Sequence, residues 1–129
     1  MYLDANFFII ANFDAGPKGK KARTILGQIL SGKEAVTSAL AMDEVMWVLH
    51  KQRKEELRDV IEEIYSLPNV SVKAVSPDIP LSALNFMEEN RLKPRDAFHA
   101  AVMKELGIKE IVSDDPDFDK VKEIKRISL

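Results

Sequence analysis

The chain has 129 residues, 46% of them hydrophobic and 31% charged, with a net charge of −2 and no cysteine. This fits one folded domain over residues 1–129 with a real core; it excludes disulfides and thiolate metal sites, so any metal would be held by oxygen or imidazole. The charge provides no global positive field of the kind a passive nucleic-acid binder shows, and FFIIA is too short to span a bilayer and lacks a signal-peptide flank, so a cytoplasmic address is expected.

Strand and helix patterns alternate along the whole sequence. MYLD reads as a first strand and NFFIIANFD as an apolar helix. AGPKG reads as a turn, leading into the helix KKARTILGQIL with Ile25, Leu26 and Ile29 at helical spacing. SGK breaks that helix, and EAVTS reads as a second strand. Ser38 is a good cap for the helix ALAMDEVMWVLHKQ. EELRDVIEEIYSL follows as an amphipathic helix expected to bury Leu57, Ile61, Ile64 and Tyr65.

VSVKAV alternates with period two and predicts the third strand; SPDIP breaks the chain before the helix LSALNFMEENR. KPRDAFHAAVMKELG begins at a proline suited to a first helical turn and stops at Gly107. KEIVS is the fourth strand, DDPDFDKV a turn holding one short helical turn, and EIKRIS the last strand. Strands separated by helices predict a parallel five-stranded sheet covered on both faces, a three-layer α/β/α domain.

The acidic residues fall unevenly on that scaffold. Asp4 ends the first strand, and Asp114, Asp115 and Asp117 follow the fourth. Open parallel sheets build their sites at the carboxyl ends of strands. Asp96 lies in the first turn of a helix, and Glu44 lies mid-helix among Leu40, Ala41, Val45, Trp47 and Val48. Each aspartate also has a purely structural explanation, as a helix cap, a turn initiator or a partner of the helix dipole. Glu44 is harder to explain that way, because an unpaired buried carboxylate costs several kcal/mol and its own segment offers no cation before Lys51. Oxygen ligands without thiolates suit hard cations such as Mg²⁺ or Mn²⁺, and clustered acids around one or two such ions suit phosphodiester hydrolysis.

MYLDANFFI, the acid within ALAMDEVMWVL, PRDAFHAAVMKELGI and IVSDDPDFDKV together resemble the PIN domain of the VapC type over nearly the whole chain. The resemblance implies strand order 3-2-1-4-5 and Mg²⁺- or Mn²⁺-dependent cleavage of single-stranded RNA. It also implies a homodimer and a cognate antitoxin protein as partner. By position it assigns Asp4, Glu44, Asp96 and Asp115 as catalytic metal ligands, with Asp117 as an accessory acting through water. Asn6 and Ser113 match the family's polar residues that orient ligands, while Asp114 falls in an unconstrained slot and is expected to be solvated. The bulky Met46-Trp47 pair beside Glu44 departs from the pattern.

DPDFD opens like a calcium loop, but Lys120 and Arg126 stand where glycine and glutamate are required. GPKGKK has too short a glycine spacing for a phosphate-binding loop; Lys18, Lys20, Lys21 and Arg23 remain candidates for RNA backbone contacts or for a solvated helix start. His99 shares a helix face with Asp96, where a hydrogen-bonded core histidine is the commoner outcome, and His50 reads as surface. FFIIANF is apolar around most of its circumference, which core packing or a partner surface would explain. A receiver-type phospho-acceptor lacks its required aspartate and lysine here, and a non-catalytic PIN-fold binding module is the other alternative.

Overall fold

Five short strands carry the centre of the molecule: β1 (Tyr2–Leu3), β2 (Ala35–Ser38), β3 (Val70–Lys73), β4 (Glu110–Val112) and β5 (Lys125–Ile127). A computed structural model describes residues 1–129 and pairs these strands in parallel, in the order β3-β2-β1-β4-β5. That is the order the family resemblance implies. Tyr2 pairs with Ile111 and Leu3 with Val112, so the two parallel strands end side by side, and the order in which strands add to the sheet reverses between β1 and β4.

Because side chains alternate across a strand, Tyr2 and Leu3 enter opposite cores. Leu3 joins Phe7, Ile29, Val45, Leu49 and Ile64 under α1 (Ala5–Phe13), α2 (Pro17–Leu30), α3 (Ala39–Gln52) and α4 (Leu57–Ser66). Tyr2 joins Met103, Ile111, Phe118 and Val121 under α5 (Ile79–Asn90) and α6 (Pro94–Glu105). The three layers expected from the alternating pattern are present.

Differences are local and have physical causes. α2 starts at Pro17 rather than after the expected turn, since proline is pre-set for a first helical position. Asp14 Oδ1 accepts from the N–H groups of Gly16 at 2.7 Å and Gly19 at 3.0 Å, closing the α1–α2 corner. Arg23 Nη1 donates to the carbonyls of Ala11 at 3.2 Å and Asp14 at 2.8 Å. A Cβ at Gly19 would stand 1.8 Å from the Asp14 carbonyl oxygen, so the corner admits only glycine there.

α5 likewise begins early, at Ile79, with Pro80 in its first turn. Tyr65 is exposed instead of buried; Val60 and Ile64 form the inner stripe of α4, and Tyr65 falls beyond its edge. The apolar α1 is largely accounted for by the core, with Phe7, Phe8 and Ala11 buried and Ile9, Ile10 and Phe13 packed against them. No helix is long and apolar enough to cross a membrane.

Candidate metal centre

The carboxyl ends of β1 and β4 deliver the acids through helix starts. Asp4 leaves β1 in an extended conformation and caps α1, its Oδ1 accepting from Phe7 N–H at 3.0 Å. Asp115 does the same for the short 3₁₀ turn Pro116–Lys120, its Oδ1 accepting from Asp117 N–H at 2.9 Å. Asp96 occupies the first turn of α6. Each carboxylate therefore sits at the positive end of a helical segment, where negative charge is favoured. The capping explanation holds for Asp4 and Asp115, and it does not compete with a site role.

Carboxylate oxygens of Asp96, Asp115 and Asp117 lie within 4.8 Å of one another, an arrangement that can hold a metal ion. Burial raises the Asp96 pKa, with Asp115 the next cause and Asp117 and Glu44 adding to it, while His99 opposes. Asp4 is buried, and burial pushes its carboxyl up to about 6 despite hydrogen bonds from Ser113 and Phe7 and the nearby His99. Asp117 is held low by the Lys120 ammonium, 2.8 Å away. Asp96, Asp115 and Asp117, with Asp4 and Glu44 outside their close cluster, offer the oxygen donor set of a hard divalent cation. The residues fit such an ion.

Glu44 does have polar partners, one of them the Arg95 cation, although its own helix offers no cation before Lys51. They come from α6, distant in sequence. His99 Nε2 lies 3.0 Å from Oε2, and Arg95 Nε lies 3.2 Å from Oε1. The Arg95 contact is an ion pair without hydrogen-bond alignment, so buried Oε1 has a charge beside it but no bonded donor. Lys51 instead stacks over the Trp47 ring at 4.3 Å. Met46 and Trp47, the pair that departs from the family pattern, are exposed on α3.

Ser113 is buried, and its Oγ accepts from Asp115 N–H at 3.0 Å while it also bonds Asp4, which links the two strand ends. Asn6 is exposed at the start of α1 and takes no part in these hydrogen bonds. Asp114 is not merely solvated, because Lys18 Nζ pairs with its Oδ2 at 2.6 Å. Arg23 is committed to the end of α1, whereas Lys20 and Lys21 are exposed. Arg126 grips Asp119 at 2.9 Å and 2.7 Å and reaches the Ser113 carbonyl at 3.3 Å, bracing the loop after β4.

Sequence reasoning missed Tyr2, Ser38 and Arg95. Tyr2 Oη lies 2.6 Å from Ser38 Oγ and 2.7 Å from His99 Nδ1. Arg95 directly precedes Asp96, and a basic residue adjacent to a site acid was the available signal.

Residues 1–124 match the family model of the PIN domain. Among solved structures, VapC20 of Mycobacterium tuberculosis, a sarcin–ricin loop cleaving toxin, is similar with a TM-score of 0.72 and 19% identity, covering 94% of each chain. VapBC2 of Rickettsia felis, bound to a DNA fragment from its promoter, gives 0.76 at 13% identity, over 98% of this chain and 96% of that one. FitAcB of Neisseria gonorrhoeae gives 0.73 at 14% identity, over 98% and 95%. No curated protein matches at a significant level.

Proposed function

The chain belongs to the PIN domain family, and on that premise we propose that it is a metal-dependent endoribonuclease acting on single-stranded RNA. One observation carries the reading: Asp96, Asp115 and Asp117 bring their oxygens within 4.8 Å of one another. Three carboxylates that close repel unless a cation lies between them.

In this reading Asp96, Asp115 and Asp117 hold Mg²⁺ or Mn²⁺ directly, and Asp4 and Glu44 close the site from β1 and α3. A bound ion would supply Lewis acidity toward the scissile phosphate and lower the pKa of an attacking water. Ser113 holds Asp4 and the Asp115 backbone in register, and Asn6 flanks the opening. Arg95, exposed on the outer side of Glu44, is suited to a phosphate of the RNA backbone. Lys18, Lys20 and Lys21 are candidates for further backbone contacts.

Similarity in fold to VapC20, to VapBC2 and to FitAcB supports a toxin nuclease restrained by a cognate antitoxin. The reading includes one PIN-like domain over residues 1–129, a cytoplasmic address and self-association into a homodimer. Met46 and Trp47 on α3 and Leu81 and Leu84 on α5 are large exposed apolar side chains that a second subunit would cover.

The test is cleavage of labelled single-stranded RNA by the purified protein with Mn²⁺ or Mg²⁺, with chelator, and by Asp96→Asn. Metal-dependent cutting that the substitution abolishes supports the reading. Equal cutting by the variant removes it, and RNA binding without cutting by either protein favours the non-catalytic module.

A further inference from the structure

Four side chains from four different elements form an unbroken polar line through the core. Ser38 Oγ accepts from Ala41 N–H at 3.3 Å and lies 2.6 Å from Tyr2 Oη. Tyr2 Oη lies 2.7 Å from His99 Nδ1, and His99 Nε2 lies 3.0 Å from Glu44 Oε2. Tyr2 and Ser38 are wholly buried and His99 is nearly so. The line starts at the end of β2, where Ser38 caps α3, crosses β1 and α6, and ends at Glu44 on α3.

The direction of the protons follows from counting donors and acceptors. Each hydroxyl has one proton to give, and buried polar groups are hydrogen-bonded. Ser38 Oγ has Tyr2 Oη as its only side-chain partner, so its proton goes there. Tyr2 must then give its own proton to His99 Nδ1. That nitrogen is an acceptor, the imidazole proton sits on Nε2, and Nε2 donates to the Glu44 carboxylate. Run the other way, with Nδ1 donating to Tyr2, the Ser38 hydroxyl proton is left buried with no acceptor.

We propose that Ser38, Tyr2 and His99 form a one-way hydrogen-bond line that fixes His99 as the Nε2–H tautomer and, through it, fixes the rotamer of Glu44. His99 is a positioning residue. It commits Oε2 and leaves Oε1, which is buried beside Arg95 Nε at 3.2 Å and has no bonded donor, as the oxygen still able to accept. The consequence for metal affinity rests on the nuclease reading; the proton placement does not. Histidine is suited to this task because one ring nitrogen accepts while the other, across a rigid ring, donates.

Two measurements without RNA test it. Heteronuclear NMR of the imidazole nitrogens is expected to show His99 neutral with the proton on Nε2. A proton on Nδ1, or on both nitrogens, overturns the proposal. Mn²⁺ affinity is then compared for the unaltered protein, His99→Gln and His99→Leu. A glutamine amide can still donate from nearly the Nε2 position, whereas leucine fills the space and donates nothing. Removing an outer-shell partner of a ligand weakens metal binding by ~10–100-fold, so Leu is expected to lose that much and Gln about threefold at most. Equal affinities, or tighter binding by the Leu variant, would show that His99 only packs. If either variant fails to fold, Tyr2→Phe replaces it: the Nδ1 resonance is expected to lose its hydrogen-bond shift, and an unchanged Nδ1 overturns the line. Failure of the unaltered protein to bind Mn²⁺ would remove the nuclease reading, and the NMR result alone would then decide the proton placement.

Discussion

Lys18 Nζ lies 2.6 Å from Asp114 Oδ2, so the start of α2 is tied to the loop after β4 across 96 residues of sequence. Both partners are substantially exposed. Exposed ion pairs contribute up to ~1 kcal/mol, and Lys18→Ala is expected to change urea stability by no more than that. A larger loss would mean that the bridge holds the site loop in place.

Lys20 and Lys21, which have no ion-pair partner, are better candidates than Lys18 or Arg23 for RNA contact. Each phosphate neutralised on a single strand contributes about −0.7 to the slope of log affinity against log salt. Reversing either charge in the Asp96→Asn background is expected to flatten the slope by about that amount. A slope unchanged by both reversals would take these lysines out of the RNA path.

Asp4 predicts a pH dependence whose sign can be worked out. Its folded value of about 6 lies above its ordinary 3.8. Below 3.8 it is protonated in both folded and unfolded chains and costs nothing; between 3.8 and 6 the cost of ionising it in the fold grows, and above 6 that cost is complete. Asparagine can still cap α1 without ionising. In chelator, Asp4→Asn should therefore be more stable than the unaltered protein by on the order of 2 kcal/mol at neutral pH, with the difference vanishing in acid. Thermal melts across that range check it, and a variant less stable throughout would contradict it.

At the α1–α2 corner, Gly19→Ala forces a methyl against the Asp14 carbonyl. Overpacking of this kind costs about 1–3 kcal/mol. Denaturant unfolding should show that loss with Mn²⁺ affinity intact, since none of the site acids lies in the corner.

Light scattering of Trp47→Glu and Leu81→Glu tests self-association. Placing a charge on either exposed apolar position should drive the protein toward monomer. A monomeric unaltered protein would exclude the homodimer.

The fold was readable because periodicity, caps and breaks agree locally. Ser38 as the cap of α3, Pro94 at the start of α6 and Gly107 after its end need only neighbours in sequence. The aspartates were readable because strand ends and helix starts mark where a parallel sheet builds its sites. The surroundings of Glu44 were not. Its partners His99 and Arg95 come from α6, and the Ser38–Tyr2–His99 line joins residues 36 and 97 positions apart. No local pattern encodes such contacts. Tyr65 failed for a different reason: at the edge of an amphipathic stripe, helical spacing alone does not say where the neighbouring layer ends.

Asp4 and Asp115 answer backbone N–H groups, and Asp96 lies where a helix start favours its charge. The scaffold therefore assembles its negative corner by itself, and folding need not wait for an ion. On the nuclease reading, such a chain would reach its complete shape first, with the cation arriving last.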